Sequence, residues 1–328
     1  MLVTTTTNRA IVQDAYGSTD VLRLATIPPP EVASDEVLLR VHAAGLDRGT
    51  WHLMTGRPYL LRLAVGLRGP RNPVLGQDVA GIVAAAGSAV SRFSAGDKVY
   101  GIGRGSFAEY TVAREDKLAR KPGNVTFAQA AVVPISALTA LQGLRDAGRI
   151  QRGQQVLILG ASGGVGSYAV QLGKAFGAHV TGVCSTSKLD LVRTLGADRV
   201  LDYTKEDFAD GANRYDLILD IGGNPTLSRL RRALTPTGTA VLAGGEDAGN
   251  WIGMDRQFRA LVLSPFLRQR LTMVVCRQRA SDLEALTELI EAGKVTPRID
   301  RTYPLDQVPE AVRYLEAGEV RGKVAITI

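Results

Sequence analysis

Four glycines within seven residues, Gly160, Gly163, Gly164 and Gly166, form the stretch of this chain best suited to holding a charged ligand. Glycine lets a backbone approach a ligand where a side chain would block it. The short apolar run Val156 to Leu159 precedes them and reads as a buried strand. Apolar residues at helical spacing follow (Val165, Ala169, Leu172, Phe176), then a second apolar run from His179 to Val183. The order strand, glycine turn, helix, strand is one right-handed βαβ unit. N–H groups at a helix start lack partners within the helix, and the helix dipole adds partial positive charge there. A turn of this kind therefore suits a pyrophosphate. Ala161, Gly163 and Gly166 fill the three places of the dinucleotide fingerprint G-x-G-x-x-G, with alanine in the first, and Ser162, Gly164 and Val165 complete the turn.

The residues after the second strand bear on which dinucleotide is held. A site for NAD usually carries Asp or Glu about 20 residues after the glycines, on the ribose 2′-hydroxyl. Here the strand runs into Cys184-Ser185-Thr186-Ser187-Lys188, and no acid precedes Asp190. Hydroxyls and a lysine suit a 2′-phosphate, which an acid would repel. The expected cofactor is NADPH.

A second group of reactive side chains lies near the N-terminus. Asp47, His52 and Tyr59 are candidates for positioning or protonating an acceptor. Each also has a structural reading: Asp47 as a turn cap, His52 as a half-buried histidine with its hydrogen bonds satisfied, Tyr59 as loop packing after a proline. The segment Leu53 to Arg71 sets Arg57, Arg62, Arg68 and Arg71 among leucines. It reads as a loop bordering a cleft rather than a membrane-surface helix.

These residues need elements to hold them. Residues 8 to about 122 are rich in short apolar segments (Val37 to His42, Val79 to Ala86, Lys98 to Gly101, Ala108 to Val112), separated by turn residues, which suggests a barrel or sandwich. From residue 123 the pattern changes. Thr126 with Gln129 forms a capping box, and Ile135 to Leu144 a longer apolar helix. Strands at 200–201, 217–220 and 240–243 alternate with helical stretches, which implies a doubly wound parallel sheet. The last two end in the pairs Gly222-Gly223 and Gly244-Gly245, at the strand ends where such sheets bind ligands. Leu271 to Cys276 reads as the last strand of that sheet. Ser281 to Ala292 reads as a helix capped by Ser281 and Glu284.

Bulk properties narrow the field. The 328 residues suffice for two domains, and 45% hydrophobic with 22% charged residues is globular composition. Two cysteines, Cys184 and Cys276, build neither a disulfide framework nor a four-cysteine metal lobe, which points to a reducing, cytoplasmic setting. No apolar run reaches the ~18 residues of a membrane span. The formal charge of +7 is spread along the chain without a basic block carrying interleaved aromatics, so nucleic acid is not the expected partner.

Further motifs carry a resemblance over almost the whole chain. They are G-x-x-x-A-G at Gly76 to Gly81, G-D-x-V at Gly96 to Val99, A-A-V-V-P-x-x-x-L-T-A at Ala130 to Ala140, and G-A-S-G-G-V-G at Gly160 to Gly166. L-G-A-D at Leu195 to Asp198, D-Y at Asp202-Tyr203 and G-K at Gly322-Lys323 complete the set. The chain resembles the medium-chain dehydrogenase/reductase superfamily, in its zinc-free quinone-oxidoreductase-like branch. That implies an α/β protein made of a GroES-like β-barrel-type domain (1–122, completed by 278–328) and a Rossmann domain with a doubly wound parallel sheet (123–277). It implies a cofactor between them and a homodimer through the strand Leu271 to Val275. By resemblance, Ser185, Lys188 and Tyr203 surround the 2′-phosphate, Thr139 lies by the nicotinamide, and Lys323 lies near the pyrophosphate end. Gly222 and Gly244 face the cofactor. In zinc-dependent relatives a cysteine stands where this chain has Asp47, and a His-Glu pair where it has Gln77-Asp78. Catalytic zinc takes three protein ligands from Cys, His or carboxylate, so no metal is expected. The branch's usual N-x-x-D-W becomes Asp47-Arg48-Gly49-Thr50-Trp51, which alters the polar groups available to a substrate.

The reaction implied is hydride transfer from NADPH to a quinone, an enal or enone, or a related activated small molecule. Two alternatives stand beside it: a zinc-free alcohol or enoyl-thioester oxidoreductase, and, from another class, an NADPH-sensing or RNA-binding protein.

Overall fold

The computed structural model describes residues 7–244 and 253–328. It divides into two compact units. One holds the chain up to Ile135 with Gln278–Gly293 and Pro297–Ile328, and the other holds Ser136–Arg277 with Lys294–Thr296.

In the first unit, β1 (Asn8–Val12) and β2 (Arg23–Ile27) pair as an antiparallel ribbon. The long β3 (Glu36–Leu46) is the centre of a larger sheet with β4 (Asp78–Ala86), β5 (Lys98–Ile102), β6 (Tyr110–Arg114) and β7 (Leu118–Arg120). Almost every residue of β3 is buried, which explains its near-continuous apolar run. Between β3 and β4 lie α1 (Arg48–Thr55) and the short α2 (Arg62–Val65). Asp47 caps α1, and Gly56, in the left-handed region at φ 61°, ends it. The segment read as a loop from Leu53 to Arg71 thus contains helical turns. Arg62 pins them, with its guanidinium 4.6 Å from the Tyr16 ring centre and 4.8 Å from that of Tyr59.

The capping box of Thr126 and Gln129 forms as expected, opening α3 (Phe127–Ala131). This helix packs on β3 and β4, and the first compact unit runs through it to Ile135.

The second unit begins within α4 (Pro134–Gln142). Its six strands are β8 (Gln155–Leu159), β9 (His179–Cys184), β10 (Arg199–Asp202), β11 (Tyr215–Asp220), β12 (Leu234–Leu242) and β13 (Arg270–Met273). All pair in parallel, in the order β10-β9-β8-β11-β12-β13. That order, reversing at β8, is the doubly wound arrangement, with α5 (Gly164–Ala175), α6 (Leu189–Thr194), α7 (Leu227–Ala233) and α8 (Asp255–Leu263) between strands. Its core includes Leu157, Val183, Ile218, Leu230 and Leu271. The edge strand β13 is shorter than the expected Leu271 to Cys276 and stops at Met273.

The chain then returns to the first unit through α9 (Ala280–Glu291), β14 (Ile299–Pro304), α10 (Val308–Glu316) and β15 (Lys323–Thr327), and β15 pairs antiparallel with β3. The expected cap of α9 is corrected. Arg279 holds the N-cap place, without a side-chain bond, and Ser281 lies inside the helix. Glu284 is instead ion-paired to Arg92. No helix of the described residues is long and apolar enough to cross a membrane. Both cysteines are free thiols, and burial pushes that of Cys184 up to about 11.

Candidate active site

The glycine turn joins β8 directly to α5. Gly160 takes φ 81°, where glycine is favoured, and Gly163 is the N-cap residue of α5 with no side chain to fill the cap. No acidic residue stands in the first helical turn. A Cβ on Gly166 would lie 2.1 Å from the Gly160 carbonyl oxygen and 2.7 Å from the Ala161 Cα. The first turn of α5 is therefore pressed against the backbone of the strand end. Ala161 is fully buried and Ser162 is 8% exposed. The N–H groups that open α5 thus point out of a cradle built of backbone, an arrangement that fits an anion.

Two further strand ends join this cradle within the second unit. A Cβ on Gly160 would lie 3.2 Å from the Gly222 amide nitrogen, and one on Gly244 only 1.9 Å from the Ile221 carbonyl oxygen. Gly160, Gly222 and Gly244 thus gather at the carboxyl ends of β8, β11 and β12. Gly245 lies outside the described residues. Beneath them sits an element that sequence reasoning missed. Asp220, fully buried, is ion-paired at 2.5 Å to Arg256 Nη1, and Arg256 also donates to the Pro225 carbonyl at 2.9 Å. Gln257 donates to the Gly244 carbonyl at 2.9 Å. Burial pushes the Asp220 carboxyl up to about 6, against the pull of Arg256.

At the end of β9, Ser185 leads into the turn Thr186–Lys188, and Tyr203 arrives from β10 with its N–H on the Cys184 carbonyl, 3.2 Å. Ser185, Lys188 and Tyr203 therefore share one neighbourhood, with Tyr203 63% exposed. Asp202 shares it too. Its carboxylate accepts from the hydroxyls of Thr186 at 2.5 Å and Thr204 at 2.7 Å, and these bonds hold it below its usual range. The acid absent after β9 is thus supplied by β10, where parallel pairing sets Asp202 opposite Cys184. Lys205 stands 3.9 Å from it. Thr139 lies half-buried on α4.

In the first unit the three candidates near α1 are held by local structure. Asp47 Oδ1 accepts from the Thr50 N–H at 2.8 Å and the Thr50 hydroxyl at 3.1 Å. His52 Nδ1 meets the Arg57 carbonyl at 2.7 Å, and Tyr59 stacks on Arg62. Lys323 is 1% exposed, with its ammonium 3.7 Å from the buried Asp78. Asp78 accepts from the Ile135 N–H at 3.0 Å. Burial raises its carboxyl to about 8, Asp47 adding to the shift and Lys323 opposing it. Asp47 Oδ2 and Asp78 Oδ2 are buried without a hydrogen-bond partner. Among the described residues no three His, Cys, Asp or Glu side chains are grouped to hold a metal. The donor set at the zinc place, two carboxylates of which one caps a helix and the other faces a buried ammonium, does not fit the ion.

A cleft of about 440 Å³ opens in the first unit, lined by Gln77, Leu53, Ile102, Arg71, Arg104 and Gln278 among others. Asp47, His52 and Tyr59 are not among its lining residues.

Comparison with known proteins agrees with this architecture. Residues 33–123 match the family model described as alcohol dehydrogenase GroES-like domain, and residues 195–326 the model described as zinc-binding dehydrogenase. The second match covers none of Asp47, Gln77 and Asp78. The chain is 36% identical to a 2-methylene-furan-3-one reductase of Solanum lycopersicum over 95% of its own length and 76% of that protein's. It is 35% identical to an NADPH-dependent alkenal/one oxidoreductase, chloroplastic, of Arabidopsis thaliana, over 97% and 79%. The solved quinone oxidoreductase of Coxiella burnetii superposes with a TM-score of 0.86 at 29% identity, over 98% of this chain and 99% of that one. The chain belongs to the quinone-oxidoreductase-like branch of the medium-chain dehydrogenase/reductase superfamily.

Proposed function

We propose that this chain is an NADPH-dependent oxidoreductase that reduces quinones or enals and enones without a metal. The observation that carries the reading is the backbone cradle from Gly160 to Gly166, closed on α5 by contacts that admit no side chain at Gly166. The names of the reductases it resembles support the cofactor and the acceptor class. Bound NADPH supplies a hydride. The chain's own residues bind and orient it: Ala161 to Gly166 through their N–H groups, Gly222 and Gly244 by leaving room, and Thr139 beside the nicotinamide. Ser185, Lys188 and Tyr203 take the 2′-phosphate, with Lys205 offsetting the charge of Asp202. Lys323, buried at Asp78, acts through the packing of β15 on β3 rather than by touching the cofactor.

Reduction places negative charge on an acceptor oxygen, which a preorganised donor stabilises. The side-chain amides of Gln77 and Gln278 line the cleft and are the donors we assign to that oxygen. Asp47 serves as a helix cap. An electron-poor acceptor, of the kind the relatives' names print, takes a hydride with hydrogen-bond donors alone at its oxygen. The test is loss of NADPH absorbance with a naphthoquinone and an alkenal, with the reduced product identified by mass. Turnover of either supports the reading, and turnover of plain aldehydes alone contradicts it.

The same reading includes a homodimer and a reducing, cytoplasmic setting. β13 is a sheet edge, and beside it Val262, Phe266 and Val275 are exposed apolar side chains, Phe266 at 82%. Light scattering on Phe266→Glu tests the interface. A variant that stays dimeric removes it.

A further inference from the structure

The cleft in the first unit carries a charge imbalance. Its lining includes four cations, Arg71, Arg104, Arg114 and Lys117, and one carboxylate, Glu36. Arg114 is neutralised outside the cleft by Asp35 at 3.0 Å and Asp116 at 3.1 Å. Arg104 reaches Glu36 at 3.3 Å, yet its side chain stays 59% exposed. Arg71 donates to the Ala64 carbonyl at 3.2 Å and to no carboxylate among the described residues. The Lys117 ammonium makes no hydrogen bond or ion pair among the described residues. The two acids beside it in sequence are already engaged: Asp116 pairs with Arg114 at 3.1 Å, and Glu115 accepts from the N–H groups of Ser91 and Arg92 at 3.0 and 2.9 Å. Arg71 and Lys117 thus face the cleft without a countercharge, and Arg104 shares one. Leu53, Val65 and Ile102 give the same cleft an apolar wall, and about 440 Å³ holds a small molecule rather than a solvent ion alone.

We propose that this cleft seats the anionic end of the acceptor: the substrate carries a carboxylate or phosphate that Arg71, Arg104 and Lys117 bind, while its electron-poor double bond or quinone is reduced. The inference deepens the oxidoreductase reading and rests on it. Guanidinium and ammonium groups beside an apolar wall recognise such a tail through charge-assisted hydrogen bonds. The pairing also steers the substrate inward at low ionic strength.

The test compares three acceptors with NADPH: a medium-chain enone ending in a carboxylate, the methyl ester of the same enone, and crotonyl-CoA as the phosphate-bearing arm. The expected result is a kcat/KM for the acid or the CoA thioester about tenfold or more above that for the ester, narrowing as salt rises. Lys117→Ala and Arg71→Ala should each lower the anion-to-ester ratio about tenfold, chiefly through KM. Neither residue holds a carboxylate, so both variants should fold. The saturated acid, titrated by calorimetry, should bind wild type and bind the variants more weakly. The acid ahead of the thioester identifies a carboxylate tail, and the reverse a phosphate. A wild type that reduces the ester as well as both anions, or a ratio unmoved in both variants, overturns this inference and leaves the oxidoreductase reading intact. No NADPH oxidation with any of the three overturns both.

Discussion

The Gly160 carbonyl oxygen lies 2.1 Å from the point that a Cβ on Gly166 would occupy. β8 and α5 therefore meet backbone against backbone at the turn assigned to the pyrophosphate. Gly166→Ala must push the helix start away from the strand end. Overpacking of this kind costs about 1–3 kcal/mol. The variant should melt several degrees lower and bind NADPH at least tenfold more weakly. A normal melting temperature with an unchanged Kd would show that the turn tolerates a methyl group and does not set the cradle.

Lys188 distinguishes the two nicotinamide cofactors. Only NADPH presents a 2′-phosphate, and a hydrogen bond to a charged group contributes about 1.5–3 kcal/mol. Lys188→Ala should raise the KM for NADPH about tenfold or more and leave that for NADH within about twofold. An equal loss for both cofactors would remove Lys188 from the 2′-phosphate site.

The buried pair of Asp220 and Arg256 yields a prediction with a sign in pH. Burial raises the Asp220 carboxyl from 3.8 to about 6. The folded carboxyl keeps its proton where the unfolded one has lost it, so stability present below about pH 4 is lost as pH rises toward about 6. Arg256 opposes that rise, and removing one member of a buried pair costs about 3–5 kcal/mol. Arg256→Met should lower the urea midpoint, with the gap from wild type widening as pH climbs above about 6, where Asp220 ionises in the wild type and the variant holds its proton. A gap that narrows with rising pH would mean that Arg256 does not hold the Asp220 charge.

Much of this was legible in the sequence because it is local. The glycine turn, the Thr126–Gln129 box and the strand-helix alternation each depend on residues a few places apart, and all three stand in the structure. What stayed hidden depends on pairing across the fold. Asp202 reaches Thr186 only because β10 lies beside β9. Lys323 meets Asp78 because both strands flank β3, and Arg256 meets Asp220 across the second sheet's carboxyl edge. Ser281 with Glu284 matched a cap by spacing, but Arg92 engages the glutamate. The cleft's charge imbalance emerges only once Arg71, Arg104 and Lys117, which come from three separate loops, are brought together.

The most direct test of the central claim is NADPH oxidation by protein stripped of metal with a strong chelator, assayed with a naphthoquinone and an alkenal, with NADH and added zinc in parallel. The stripped protein should turn over, faster with NADPH than NADH and unchanged by zinc. Tight NADPH binding without turnover, or activity that returns only with zinc, would contradict that claim.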